Sequence, residues 1–295
     1  MIAETTRRLL GSDFVIETIG ERRLKGHDQP VPLFRARARE RNQGRLSARG
    51  EADPGPIFGR EAELAALRCA WEEAKSGNGP AALVSGEAGI GKSRLLQALA
   101  DTIVEDKPVL QVLQCSPLHS DNPFWPVVQQ CAAAAAIVER GANEVNGQDR
   151  PEIRRKTIDA LAALLLERAR GGPTLLVAED AQWADGATTA LLQHLFTAVS
   201  KAPMPLIVTS RPEGERRLAA TTQVLRIALP RLKRSAAIDL LAAIAGRHRL
   251  ARRTSAEILA RSDGIPLFIE EMTKAVIETA PAERRSRSRR RSAIR

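Results

Sequence analysis

Five short segments of the chain are apolar at nearly every position: Ala81–Ser85, Val109–Cys115, Thr174–Glu179, Leu206–Ser210 and Val224–Ala228. A strand with one wet face alternates apolar and polar residues. A strand covered on both faces does not, and these segments are of the second kind. Between them the apolar residues recur at helical spacing, for example over Pro151–Ala169 and Thr188–Val199. Alternating buried strands and helices from Ile57 to about Leu229 predict an α/β domain built on a mostly parallel sheet. From Lys233 to Thr279 the strand pattern stops. "SAAIDLLAAIAG", "SAEILARS" and "PLFIEEMTKAVIE" then predict a small helical subdomain.

The two ends differ from this middle. "IAETTRRLLG" reads as a short helix ending at Gly11, and "FVIETIGER" and "VPLFRARA" alternate as strands around the turn-prone "LKGHDQP". The segment is too short to fold alone. The predicted division is therefore residues 1–36, a polar linker over 37–55, an α/β core over 56–230, a helical lid over 231–280 and a basic tail over 281–295.

Charge follows the same division. The net charge is +10, but residues 1–50 carry +5 and residues 281–295 carry +6, so the middle is close to neutral. The basic ends read as solvated tails with some capacity for phosphate backbones. Aromatics make up 3% of the chain and Tyr is absent, which disfavours base stacking on aromatic platforms. Cys69, Cys115 and Cys131 are widely spaced and suggest neither a disulfide framework nor a zinc site. His119, His194 and His248 show no metal-ligand spacing. No secretory h-region and no membrane-length apolar run is present, so a cytoplasmic location without membrane attachment is expected.

The candidate chemistry starts at Gly86-Glu87-Ala88-Gly89-Ile90-Gly91-Lys92-Ser93, which fits the phosphate-loop pattern GxxxxGK[ST] between a strand and a helix. Glycines let backbone N–H groups turn inward around phosphate oxygens. The helix starting at Lys92 points its positive end at the same anion. Lys92 is expected to reach the terminal phosphates and Ser93 to ligate Mg²⁺, with Arg94 in the same nucleotide-binding segment. Hydrolysis also needs acids for the metal and the water. Glu179 and Asp180 end the strand in "TLLVAEDAQWAD", at the edge where open α/β sheets bind ligands. Glu179 is assigned to Mg²⁺ and Asp180 to the water. The usual order has Asp first, so the division between the two stays open. In the same segment Asp185 is placed to cap a helix and Trp183 to pack. Arg211, after "LIVTS", is placed to sense the γ-phosphate. Phe58, Gly59 and Arg60 are expected to fold over the adenine, and Gly264 and Pro266 to make a rigid turn that touches base or ribose.

Together, "IFGREAEL…GEAGIGKSRLL…LLVAEDAQWAD…LIVTSRPE…SDGIPLFIEEM" resembles the signal-transduction ATPases with numerous domains (STAND), a P-loop branch related to AAA+ proteins. The resemblance covers about residues 56–279. It implies a five-stranded core with the sensor strand between the P-loop and Walker B strands, followed by a helical lid. It also implies a switch that is closed with ADP, opens on exchange for ATP and turns over slowly. The first 36 residues are similar to the last helix and strands of bacterial class III adenylate/guanylate cyclase domains, with Lys25 in the loop that touches substrate phosphates in some of them. The cyclase's metal-binding and transition-state residues would lie upstream, so no cyclase activity is expected. The chain then reads as the middle of a cyclase–ATPase fusion, with partners or self-assembly through segments not in this sequence. Two alternatives stand beside it. One is a nucleic-acid-binding AAA+-like ATPase or LuxR-type regulator, and the other is a non-functional gene remnant, which the abrupt tail "ERRSRSRRRSAIR" would fit.

Overall fold

The computed structural model describes residues 2–3, 14–22, 31–39, 55–143, 150–218, 224–248 and 250–279. The chain divides into two units, Met1–Gly50 and Glu51–Arg295.

In the first unit, β1 (Ile2–Ala3), β2 (Phe14–Arg22) and β3 (Val31–Arg39) form an antiparallel sheet of order β1-β3-β2. Both long strands match the alternation in the sequence. Ile2 and Ala3, the first residues of the expected helix, are strand, and the rest of that segment, residues 4–11, lies outside the described residues. Ile2 and Ala3 pair with Phe34 and Leu33 of β3, both buried, a partner that local propensity does not encode. β3 also continues to Arg39, into the stretch assigned to the linker. Lys25, residues 40–54 and the basic tail lie outside the described residues.

The second unit opens with α1 (Glu61–Lys75), β4 (Ala81–Ser85), α2 (Lys92–Thr102) and β5 (Val109–Gln114). It continues through α3 (Trp125–Gln130), α4 (Ala132–Asn143), α5 (Arg150–Glu167), β6 (Thr174–Glu179), α6 (Gly186–Ala198), β7 (Leu206–Ser210), α7 (Pro212–Leu218) and β8 (Val224–Ala228). Three helices close it: α8 (Arg234–Ala245), α9 (Arg252–Ser262) and α10 (Pro266–Thr279).

The five strands β4 to β8 form a parallel sheet of order β5-β6-β7-β4-β8. The P-loop strand β4 and the acid-bearing strand β6 flank β7, as the resemblance implied. Every residue of β4, β6 and β7 is buried, whereas the edge strand β8 exposes Leu225 and Arg226. The continuous apolar runs thus mark the central strands, and a charged position marks the edge. One core cluster joins Leu83, Leu176 and Val208 of the sheet to Leu161 and Leu165 of α5 and to Leu191, Leu195 and Phe196 of α6. In α1, Leu67, Ala70, Trp71 and Ala74 make a buried stripe at helical spacing. The indole N–H of Trp71 donates to Asp106 at 2.7 Å, so burying that ring leaves no donor unpaired. The lid has its own cluster of Leu232, Ala236, Leu241, Ile258 and Ile269.

Because all five strands are parallel, their C-terminal ends share one edge. The sequence-predicted residues at the tips of β4, β6 and β7 lie along that edge.

Candidate nucleotide-binding site

The loop from Gly86 to Gly91 joins β4 to α2. Gly89 and Gly91 adopt φ of 75° and 102°, a left-handed backbone that side chains rarely tolerate. The Gly86 N–H donates to the Ser210 carbonyl at 3.3 Å, tying the start of the loop to the tip of β7. Glu87 and Ala88 are exposed, and Ile90 is buried as the loop's apolar anchor. Lys92 is 8% exposed, and its Nζ donates to the carbonyls of Gly86 at 2.7 Å and Glu87 at 3.0 Å. Its charge is thus held against the loop. Burial lowers its proton affinity, Asp180 opposes that effect, and Arg211 adds to it. Asp180 and Arg211 therefore both act on the charge of Lys92. Ser93 follows half-buried in the first turn of α2. Arg94 donates to the Gly55 carbonyl, which commits one arm of its guanidinium to the segment before α1.

At the tip of β6, Glu179 is 1% exposed and its carbonyl accepts from the Cys115 N–H at 3.0 Å. Asp180, the next residue, is half-buried and left-handed at φ 55°, which turns the chain away from the strand. Its N–H donates to Thr209 Oγ1 at 3.0 Å. Its Oδ1 accepts from Gln182 Nε2 at 3.3 Å. Trp183 carries the Arg211 guanidinium 5.7 Å from its ring centre, so it packs and also positions a cation. Arg211 lies 4.0 Å from Glu213. Asp185 caps α6 as expected, accepting from the N–H groups of Ala187 at 2.7 Å and Thr188 at 3.0 Å.

The segments expected over the adenine meet the lid and the loop. Phe58 packs on the lid cluster, and Gly59 lies so close to Ala236 that a Cβ there would sit 2.6 Å from the alanine Cβ. Arg60 is 3% exposed and donates to the carbonyls of Pro230 at 2.6 Å and Ile90 at 3.3 Å, with Glu63 at 3.6 Å. It braces the P-loop against the chain entering the lid. Pro266 opens α10, and the next residue, Leu267, donates its N–H to the Gly89 carbonyl at 3.2 Å. The start of α10 therefore rests on the phosphate loop, while Gly264 packs against Arg231 and Leu232.

Three contributors were missed in the sequence. Gln182 links Asp180 to Arg211, Thr209 holds Asp180's backbone, and Arg231 bridges Glu87 of the loop at 3.1 Å to Asp263 of the lid. Gln182 and Thr209 stand inside motifs already singled out. Arg231 lies three residues past the end of the last strand, and nothing nearby in sequence marks it.

The donors at this edge are hydroxyl and carboxylate oxygens, the set a hard cation such as Mg²⁺ takes together with water and phosphate. Among the described residues no group of three or more His, Cys, Asp or Glu is placed to hold a metal ion.

Residues 56–209 match the AAA ATPase domain family. The chain belongs to that family. Membership implies nucleotide binding, and the P-loop geometry agrees with it. An uncharacterized protein of Rhizobium meliloti (strain 1021) is 28% identical over 312 residues, covering 94% of this AAA ATPase chain and 30% of the relative. The chain thus spans less than a third of that protein. The Aeropyrum pernix ORC1 protein in complex with DNA superposes with a TM-score of 0.52 at 20% identity, covering 79% of this chain and 62% of that one. Drosophila ORC bound to DNA gives 0.50 at 12% identity, covering 91% and 66%. At these identities the likeness is one of fold. Among the described residues no helix is long and apolar enough to cross a membrane.

Proposed function

We propose that the chain is a Mg²⁺-ATP-binding regulatory module of the signal-transduction ATPase type, a switch set by whether ATP or ADP is bound, with slow turnover. The observation that carries this is the shared edge where the parallel strands β4, β7 and β6 end side by side, bearing the phosphate loop, Arg211 and the pair Glu179–Asp180, under a lid whose Leu267 N–H is bonded to the loop at Gly89. Lys92 neutralises the terminal phosphates, and the N–H groups of the loop and of α2 bind phosphate oxygens. Ser93 and Glu179 are assigned to Mg²⁺, which would supply charge neutralisation between the phosphates. Asp180 orients water, and Arg211 senses the γ-phosphate. The adenine lies between the Phe58–Arg60 segment and Pro266. Since Arg60 and Leu267 already join loop to lid, a nucleotide at the loop bears directly on lid position. That linkage supports a switch more than a fast enzyme. Residues 1–36 are assigned to the end of a cyclase-type domain on the strength of their sequence resemblance, with which the antiparallel β2–β3 pair is compatible.

Calorimetric titration with ATP and ADP in Mg²⁺, together with phosphate release over hours, tests the proposal. Binding of both nucleotides is expected, with turnover well below the common enzyme range of about 1–1000 per second. Absence of binding would remove the module, and turnover within that range would remove the switch.

A further inference from the structure

β6 and β7 pair only as far as Ala178 and Val208, whereas β7 and β4 pair on to Ser210 and Ser85. Past Val208, two side chains hold the tips of β6 and β7 together. Thr209 Oγ1 accepts the Asp180 N–H at 3.0 Å, and Gln182 spans the remaining gap. The Gln182 amide donates from Nε2 to Asp180 Oδ1 at 3.3 Å and accepts at Oε1 from the Arg211 N–H at 3.1 Å. The orientation of this amide is fixed by chemistry. A backbone N–H needs an acceptor and a carboxylate needs a donor, so a flipped amide would lose both bonds.

The amide is also held in place by packing. Gln182 sits in the short turn Ala181–Trp183, and α7 presses on it through Gly214, where a Cβ would lie 2.8 Å from the Gln182 Cα and Cβ. The neighbouring Trp183 carries the Arg211 guanidinium. Two successive residues of one turn thus grip Arg211, one by its backbone and one by its side chain, and the first of them also grips Asp180.

The geometry points to Gln182 as the positioning residue that couples the γ-phosphate sensor Arg211 to the water-side carboxylate of Asp180. Resting on the site proposed above, it deepens that site in one respect: Arg211 and Asp180 move as a unit because one amide bonds both. A γ-phosphate that draws Arg211 forward draws on the Gln182 carbonyl and, through the same planar amide, on Asp180.

The test measures the affinities of ATP and ADP, in Mg²⁺, for wild type, Arg211→Ala and Gln182→Met. Methionine keeps the length and packing of glutamine and removes both hydrogen bonds. The ATP/ADP affinity ratio is expected to fall about tenfold in Arg211→Ala, the size of one hydrogen bond to a charged group. It should fall by a similar factor in Gln182→Met, with ADP affinity unchanged, while the thermal midpoint drops by a few degrees because the Arg211 N–H loses its acceptor. Gln182→Asn, one methylene too short to span both partners, carries the same expectation should the methionine variant not fold. A Gln182 variant that keeps the wild-type ratio while Arg211→Ala loses it overturns the coupling alone. Equal loss of ATP and ADP affinity in the Gln182 variants also overturns it, because that is the mark of a purely structural side chain. A wild type whose ratio Arg211→Ala leaves unchanged overturns the sensor assignment, and the coupling with it.

Discussion

Arg60→Ala is the substitution that best separates two roles for the segment before α1, a cover for adenine and a brace for the lid. In the structure the guanidinium bonds two carbonyls, Pro230 at 2.6 Å and Ile90 at 3.3 Å, and pairs with Glu63 at 3.6 Å. Truncation leaves both carbonyls without this donor and leaves Glu63, 19% exposed, without its partner. Hydrogen bonds to a charged group contribute about 1.5–3 kcal/mol each, and breaking a buried pair costs about 3–5 kcal/mol. Burial of the guanidinium is itself unfavourable, as its lowered proton affinity shows, and removing it returns part of that cost. The net loss is about 3 kcal/mol. At roughly 2–4 °C per kcal/mol for a unit of this size, the midpoint should drop on the order of 6–12 °C. Differential scanning calorimetry without nucleotide reads it directly. Arg60→Lys, which places one ammonium where two arms were, should fall between the two. A midpoint within about 2 °C of wild type, with nucleotide affinity lost, would refute the brace and leave Arg60 with the adenine role alone.

Asp185→Ala removes the acceptor for the Ala187 and Thr188 N–H groups at the start of α6, and should cost about 1 kcal/mol in a denaturant melt. Lys92 should lose its proton below the ordinary lysine value of 10.5, chiefly because it is buried. Since the bound phosphates need the charged form, ATP affinity measured across alkaline pH should begin to fall before that value. For the nucleotide-free chain the sign is opposite: the unfolded state holds this proton longer, so this group's contribution to stability rises with pH through the same window. Burial, followed by Asp185 and Asp180, pushes the Cys115 thiol up to about 12, while Cys69 is exposed. A thiol reagent at pH 8 should label Cys69 in the native chain and reach Cys115 only on unfolding, read by mass spectrometry of the peptides.

What could be read from the sequence follows burial and local chemistry. Ala81–Ser85, Thr174–Glu179 and Leu206–Ser210 are legible because a strand covered on both faces must be apolar throughout, and their ends agree with the structure. The phosphate loop is legible because its glycines, lysine and serine are contiguous. Asp185 is legible because a cap acts on residues two and three positions away. The bonds of Arg60 to Ile90 and Pro230 reach 30 and 170 residues along the chain, and no local pattern encodes them. Gln182 stood inside a recognised motif, yet its acceptor role depends on Arg211, 29 residues on, being brought beside it by the order of strands. Ile2 and Ala3 pair as strand with Phe34 and Leu33, about thirty residues on, a partner that the local pattern does not mark.

The central claim is that the loop around Lys92 binds nucleotide as a formed site. Thermal unfolding of the chain with and without Mg²⁺-ATP and Mg²⁺-ADP, for wild type and Lys92→Ala, tests it most directly. Among the described residues Lys92 Nζ bonds the loop carbonyls of Gly86 and Glu87 and no core group, so the variant should fold. Ligand at 100 times its dissociation constant adds about 2.7 kcal/mol, a rise on the order of 5–10 °C. That rise is expected with either nucleotide in wild type and absent in Lys92→Ala. A cooperatively folded wild type that shows no rise, or a variant that keeps it, would contradict the account.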